Sequence, residues 1–383
     1  ITGGVKLSLN KIKKISQKTI KKLKNLEEQE LKQEVLFGFD GFVDNVWSLV
    51  EERNSVKDYK LMKSMLTLNE RIKESAGGGL STEILRKDKR AGGFNANTAR
   101  VLTVFDLKPT LMALFEGEEI FSELKNKAEV INLGEACSSQ IFEFNDGKLM
   151  FPNNENVRSM DWASIKERIK LERLIELFER SELIAFGYWA NMPYYSKIIE
   201  GIKNEVLPEI SSKKRKLFMD FGNVKKRSDK DLELFVKSLS ELENDFEITV
   251  SLNRTEALDT AGALSIEYDS DQKSYELTAA EIRSKMCVSN FVLHTNNVAI
   301  SAGVDGVKKL EQPYCKNPVL TTGAGDTFNG GYILGLLLSD DREIQLSAAS
   351  AAAGYFIRNG KPPRRNEMID FLKEYPELFV NNH

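Results

Sequence analysis

The chain has 383 residues, 41% hydrophobic and 29% charged, enough apolar material for one large α/β domain with an appendage or for two domains. Its formal net charge of -3 argues against a nucleic-acid coat over the whole surface, and no apolar stretch has the length of a bilayer span. Three scattered cysteines (Cys137, Cys287 and Cys315) form neither a metal pair nor a disulfide framework, and two histidines (His294 and His383) leave little for a His-based triad or zinc site.

The opening "ITGGVKLSLNKIKK" has no apolar core ahead of a small-residue cleavage site, so no secretory signal is expected and a cytoplasmic setting is. Residues 11–24 carry seven lysines, with Ile12, Ile15 and Leu23 at helical spacing. This reads as a basic amphipathic helix that either touches an anionic surface or lies on the main domain with its lysines in water. The second reading is favoured, because charge runs on helices are usually solvated faces. Residues 1–34 are therefore taken as a basic helical extension and 35–383 as the main domain.

From residue 35 a rhythm sets in. "EVLFGFDGF" and "KPTLMALFEG" are short apolar runs, the latter followed by the helical "EEIFSELKNKAEV". "SELIAFGYWA", "RKLFMDFG" and "FEITVSLN" each precede an amphipathic helical stretch. Apolar strands alternating with helices predict a doubly wound, mostly parallel sheet covered on both faces, with ligands at the strands' carboxyl ends. Two segments depart from it. "VDNVWSLVEER" reads as a short strand, and "QIFEFNDGKLMF" alternates around the turn signal Asp146-Gly147. Together they predict a small β flap, a lid with segments near 42–56 and 138–156. Between them, 57–75 reads as a helical insert, and Gly77 to Gly79 as a loose connection.

"TTGAGDTFNGG" (321–331) runs directly into an apolar helical stretch. Glycines before a helix let an anion approach unpaired backbone N–H groups; equally, they can make a plain turn with Asp326 as an ordinary first-turn acid. Asn253 and Glu256 have the spacing of a helix capping box.

Three ordered motifs join these readings. "TTGAGDTFNGG", "AGGFNANTARVL" (91–102) and Asn253-Arg254-Thr255-Glu256 resemble the signatures of the PfkB, ribokinase-like family of carbohydrate kinases. The resemblance covers most of residues 35–375. It implies an ATP- and Mg2+-dependent phosphoryl transfer to a hydroxyl of a sugar or sugar-like alcohol. Asp326 would be the base, with Gly323, Ala324 and Gly325 as the anion hole. Thr322, Asn253 and Glu256 would lie on the nucleotide side, Glu256 holding Mg2+ through water. Asp44, Gly92, Gly93 and Asn97 would bind the acceptor, with Asp40 as the rival of Asp44. The base is expected to be weak, because a helix N-terminus stabilises a carboxylate. Residues 347–360 would lie near the adenine, although a tight helix pair would demand the same alanines.

Some positions depart from the family pattern. Leu320 stands where the family has an aspartate of its monovalent-cation site, which leaves activation by such an ion without support here. Asn223 is displaced by one from an Asp-x-Asn-x-Arg run, and "LHTNN" replaces a Thr-x-Gly turn. A nucleoside or sugar-phosphate acceptor, and a catalytically silent regulator, remain as alternatives; Arg158 and Arg227 are the cations that could grip a phosphorylated substrate. Neither nucleic acid nor membrane insertion is expected, and a homodimer is, through open flap edges.

Overall fold

Runs such as VLFG, TLMA and LIAFG are buried at every position, which only a sheet covered on both faces allows. The computed structural model describes residues 3–26, 32–268 and 274–380. Its strands in chain order are β1 (Val35–Gly38), β2 (Phe42–Arg53), β3 (Tyr59–Leu61), β4 (Ile84–Gly92), β5 (Thr110–Ala113), β6 (Glu129–Asn132) and β7 (Cys137–Phe144). They continue with β8 (Gly147–Asn153), β9 (Leu183–Gly187), β10 (Arg215–Asp220), β11 (Phe246–Asn253), β12 (Asn290–His294), β13 (Val298–Gly303) and β14 (Gly306–Glu311). The main sheet has the order β14-β13-β12-β11-β10-β9-β1-β5-β6. It is parallel from β6 to β12 and ends in the antiparallel pairs β12/β13 and β13/β14. The chain leaves β1 toward β5 and later returns to β1's other side as β9, so a topological switch point lies between β1 and β9.

A second sheet, β3-β2-β7-β8 with β4 also paired to β2, carries the interruptions in the rhythm. Three expectations are corrected here. "VDNVWSLVEER" belongs to a 12-residue strand, long because β4 and β7 pair along its two edges. The 57–75 insert is strand β3 followed by a helix, Met65–Glu74, and not helical throughout. The "EEIFSELKNKAEV" helix is only Ser122–Lys127 after a short 3-10 turn, because Glu129–Asn132 is drawn into the sheet beside β5.

The helix Ala324–Leu338 is deeply enclosed, buried at 12 of its 15 positions between the helices Gly93–Thr103 and Arg342–Asn359. Glycine makes this possible. A Cβ on Gly330 would fall 2.6 Å from the Thr98 carbonyl oxygen, and one on Gly331 2.7 Å from the Ala352 Cβ.

The basic helix Gly3–Lys24 packs on the helix Arg365–Val380. Ile12, Ile15 and Leu23 are buried, and all seven lysines of 11–24 are exposed. Lys18 pairs with Asp341 at 3.0 Å, and Arg365 donates to the carbonyls of Leu23, Lys24 and Leu26, closing the helix's carboxyl end. The lysine run is thus a solvated face. Of the 1–34 extension, residues 1, 2 and 27–31 lie outside the described residues, as does His383. Among the described residues no helix is long and apolar enough to cross a membrane.

Candidate active site

The glycine-aspartate stretch becomes the start of the Ala324–Leu338 helix. Gly323 precedes it at φ +87, a left-handed conformation suited to glycine, and its carbonyl accepts from the Thr327 N–H and hydroxyl. Asp326 sits in the first turn, buried among three elements. One carboxylate oxygen accepts from the Tyr188 hydroxyl at 2.5 Å, the other from Asn97 Nδ2 at 2.9 Å. Asn97 belongs to the helix Gly93–Thr103, and Tyr188 follows β9 directly. The expected weak base is corrected. Burial pushes the Asp326 carboxyl up to about 6, against the pull of the Tyr188 and Asn97 bonds.

The two candidate acids after β1 separate by geometry. Asp40 accepts from the Phe94 N–H (2.8 Å) and the Asn95 N–H (2.9 Å), so both of its oxygens serve the amino end of the Gly93–Thr103 helix. Asn95 completes the join by donating to the carbonyls of Asp40 and Met112. Gly93, at φ +88, leaves no room for a side chain, since a Cβ would lie 2.7 Å from an Asp40 oxygen. Asp44, by contrast, lies over Gly92, where a Cβ would fall 2.3 Å from its carboxylate. Burial raises its pKa, while Arg90, the Ser139 hydroxyl and Lys148 draw it down.

Asn253 and Glu256 form both arms of a capping box, at 3.0 and 3.1 Å. Burial pushes Glu256 up to about 7, and the charge of Asp326 adds to the rise. Asp220 at the end of β10 accepts from the Gly222 N–H (2.7 Å) and Asn329 Nδ2 (2.8 Å). Its pKa is also raised, first by burial and then by Glu256 and Asp326. Three mutually repelling carboxylates at one strand-end cluster suit a cation beside them. Among the described residues no three His, Cys, Asp or Glu side chains form a metal-holding group. Mg2+ needs no such group, since it takes few protein ligands and keeps its waters and phosphate oxygens.

Beyond Gly325 opens a cleft of about 640 Å³, lined among others by Thr255, His294, Tyr314, Ala353 and Gly354. The His294 ring stacks on Phe328 at 4.5 Å, and burial pushes its pKa down to about 4, so it is a neutral, flat wall. Residues 347–360 present a tightly packed face and a cleft-lining face on one helix. Ala348 and Ala352 receive Gly331, while Ala353, Gly354 and Ile357 face the cleft.

The structure thus brings Asn97, Thr322, Gly323, Ala324, Gly325 and Asp326 together, with Asp44, Gly92 and Gly93 on one side and Asn253 and Glu256 on the other. The sequence reading missed Tyr188, Asp220, Asn329, His294 and Lys148. Tyr188, Asp220 and His294 stand at or just after the carboxyl ends of β9, β10 and β12, and that position was the available signal.

A doubly wound sheet with a glycine-framed aspartate at its switch-point helices places the chain among the ribokinase-type carbohydrate kinases. Solved structures of that fold match it over most of their length. Ribokinase from Thermotoga maritima is 14% identical with a TM-score of 0.60, covering 89% of this chain and 99% of its own. Ribokinase of Arabidopsis thaliana complexed with ribose and ATP is 15% identical with a TM-score of 0.58, covering 89% and 99%. The nucleoside kinase of Methanocaldococcus jannaschii is 12% identical with a TM-score of 0.58, covering 90% and 99%. Within this class, residues 14–375 match the prokaryotic ketohexokinase family, and the chain belongs to it. A ketohexokinase from Haloferax volcanii is 32% identical over 349 residues, 90% of this chain and 92% of that protein. The protein is a sugar kinase, a phosphotransferase with an alcohol group as acceptor.

Proposed function

We propose that this kinase transfers the terminal phosphoryl group of ATP to a hydroxyl of an unphosphorylated ketohexose. The observation that carries the reading is the Asp326 carboxylate, held by Tyr188 and Asn97 at the first turn of a helix that opens onto the cleft. The ketohexose is taken from the family and from the Haloferax relative's name. Of the two arginines that could hold a phosphorylated acceptor, Arg227 is occupied, stacked on Trp189 at 4.2 Å and donating to the Met192 carbonyl at 3.1 Å.

In this reading Asp44 and Asn97 hold acceptor hydroxyls, with Gly92 and Gly93 keeping the surface clear of side chains. Asp326 accepts the proton of the attacking hydroxyl. The backbone of Gly323, Ala324, Gly325 and Asp326 seats the phosphoryl group, where aligned N–H dipoles stabilise charge in a loose transition state. Asn253 and Thr322 flank the nucleotide phosphates, and Glu256, with Asp220 near it, orients the waters of Mg2+, which when bound neutralises phosphate charge. The small sheet acts as the lid that keeps water from the transfer.

The test is ADP release from Mg-ATP against ketohexoses, aldohexoses, ribose, nucleosides and sugar phosphates. Release with ketohexoses well above the rest is expected. A clear preference for nucleosides or sugar phosphates would overturn the acceptor class, and tight nucleotide binding without release would favour a regulator. The pH profile gives a second check. Asp326 must be charged to take a proton, and its pKa is raised to about 6, so activity is lost on acidification through that value. kcat/KM should fall about tenfold per pH unit below pH 6 and lie flat just above it. An acid limb centred near pH 4 would remove Asp326 from the role.

A further inference from the structure

The small sheet sends one cation into the signature loop. The β7–β8 turn is pinned from outside, Asp146 accepting from the Ser64 hydroxyl (2.6 Å) and the Met65 N–H (2.9 Å). Two residues further on, Lys148 Nζ reaches Thr322 Oγ1 at 3.2 Å, a contact across 174 positions of sequence. Lys148 pairs in the β7/β8 ladder with Glu143. That carboxylate is engaged elsewhere, with Lys87 at 2.5 Å and Arg90 at 3.6 Å. The hydrogen-bond partner of the Lys148 ammonium is thus a neutral hydroxyl at the rim of the anion seat. Its charge is also felt by both carboxylates that flank the transfer path, Asp44 and Asp326.

We propose that Lys148 is a catalytic residue that donates to the phosphoryl group during transfer, closing the anion seat on the side the helix N-terminus leaves open. The inference rests on the kinase reading above. As the acceptor oxygen forms its bond to phosphorus, the bond from phosphorus to the bridging oxygen breaks and its electron pair leaves on ADP. The hydroxyl proton passes to Asp326, and Lys148 keeps its own protons throughout. Its ammonium balances the charge on the equatorial oxygens, as a backbone N–H does from the opposite side. Because it stands on the small sheet, the seat is complete only when that sheet is down.

The experiment compares Lys148→Met and Lys148→Arg with the wild type on the accepted sugar. Lys148→Met should lower kcat by about 10²–10³-fold, the effect of removing one donor from such a site. KM for ATP and sugar should stay within a few-fold. The Met variant should weaken binding of tetrafluoroaluminate with ADP and sugar by the same factor while leaving ADP alone unaffected, and Lys148→Arg should recover much of the loss. Lys148 is exposed, so the thermal midpoint should not move. A Met variant within threefold of wild-type kcat, or one that changes only KM, would overturn the assignment with the kinase reading intact. A wild type that phosphorylates no acceptor would overturn both.

Discussion

Asp326→Asn should lower kcat by about 10³–10⁴-fold while nucleotide affinity stays near wild type. The amide has the shape of the carboxylate, and its surroundings can adapt to it. The Tyr188 hydroxyl accepts as well as donates, and the Asn97 amide can turn its oxygen toward the new NH2. The backbone seat of Gly323 to Gly325 is untouched; only the proton acceptor is lost. Stability should move the other way. The carboxyl's pKa is raised from 3.8 to about 6, so at neutral pH the fold holds a charge that burial disfavours. The neutral isostere removes that strain, and its advantage in thermal midpoint should grow as pH rises from about 4 to 6 and then level off. ADP release, nucleotide calorimetry and melting across that range check all three. Turnover within tenfold of wild type would remove Asp326 as the base.

Gly331→Val should destabilise the protein by about 3 kcal/mol, in the upper range for forcing atoms into a packed core. Its new Cβ would lie within 2.8 Å of the Ala352 Cβ, the Ala348 carbonyl oxygen and the Ala349 Cα, three neighbours on one helix face. The helix must slide, and with it Asp326 at its start, so activity should fall even where the protein stays folded. Gly262→Ala is the control. It adds a methyl to another helix with nothing within 4 Å, so the better helix propensity of alanine should leave stability equal or higher. Denaturant midpoints of both variants decide the matter. Equal midpoints would show that the three-helix contact can relax.

Five of the nine main-sheet strands, β1, β5, β9, β10 and β11, were readable in the sequence because continuous burial leaves a continuous apolar run. β4 was not. Its residues Leu85 to Arg90 are nearly all charged and its outer face is wet, so neither alternation nor hydrophobicity marks it, and its pairing with β2 holds it in place. The site divides the same way. Glycines and an aspartate in series left a local signal, and so did the Asn253–Glu256 capping box. Asp40 and Asp44 carry the same side chain four residues apart, and only the position of the Gly93–Thr103 helix decides which one its N–H groups consume. Tyr188, Lys148 and Asp220 meet Asp326, Thr322 and Asn329 across more than 100 positions each, contacts that no local pattern can announce.

The clasp between Arg365 and the carbonyls of Leu23, Lys24 and Leu26 has a consequence for biosynthesis. The bond to Leu23 spans 342 positions, so on a ribosome the helix Gly3–Lys24 emerges long before the surface it lands on. While the residues between are being made Ile12, Ile15 and Leu23 have nowhere to dock, and closure entropy delays the contact further. The seven lysines have a use in that interval. They surround the waiting apolar stripe with like charge, and like charge disfavours its pairing with the same stripe of a second nascent chain.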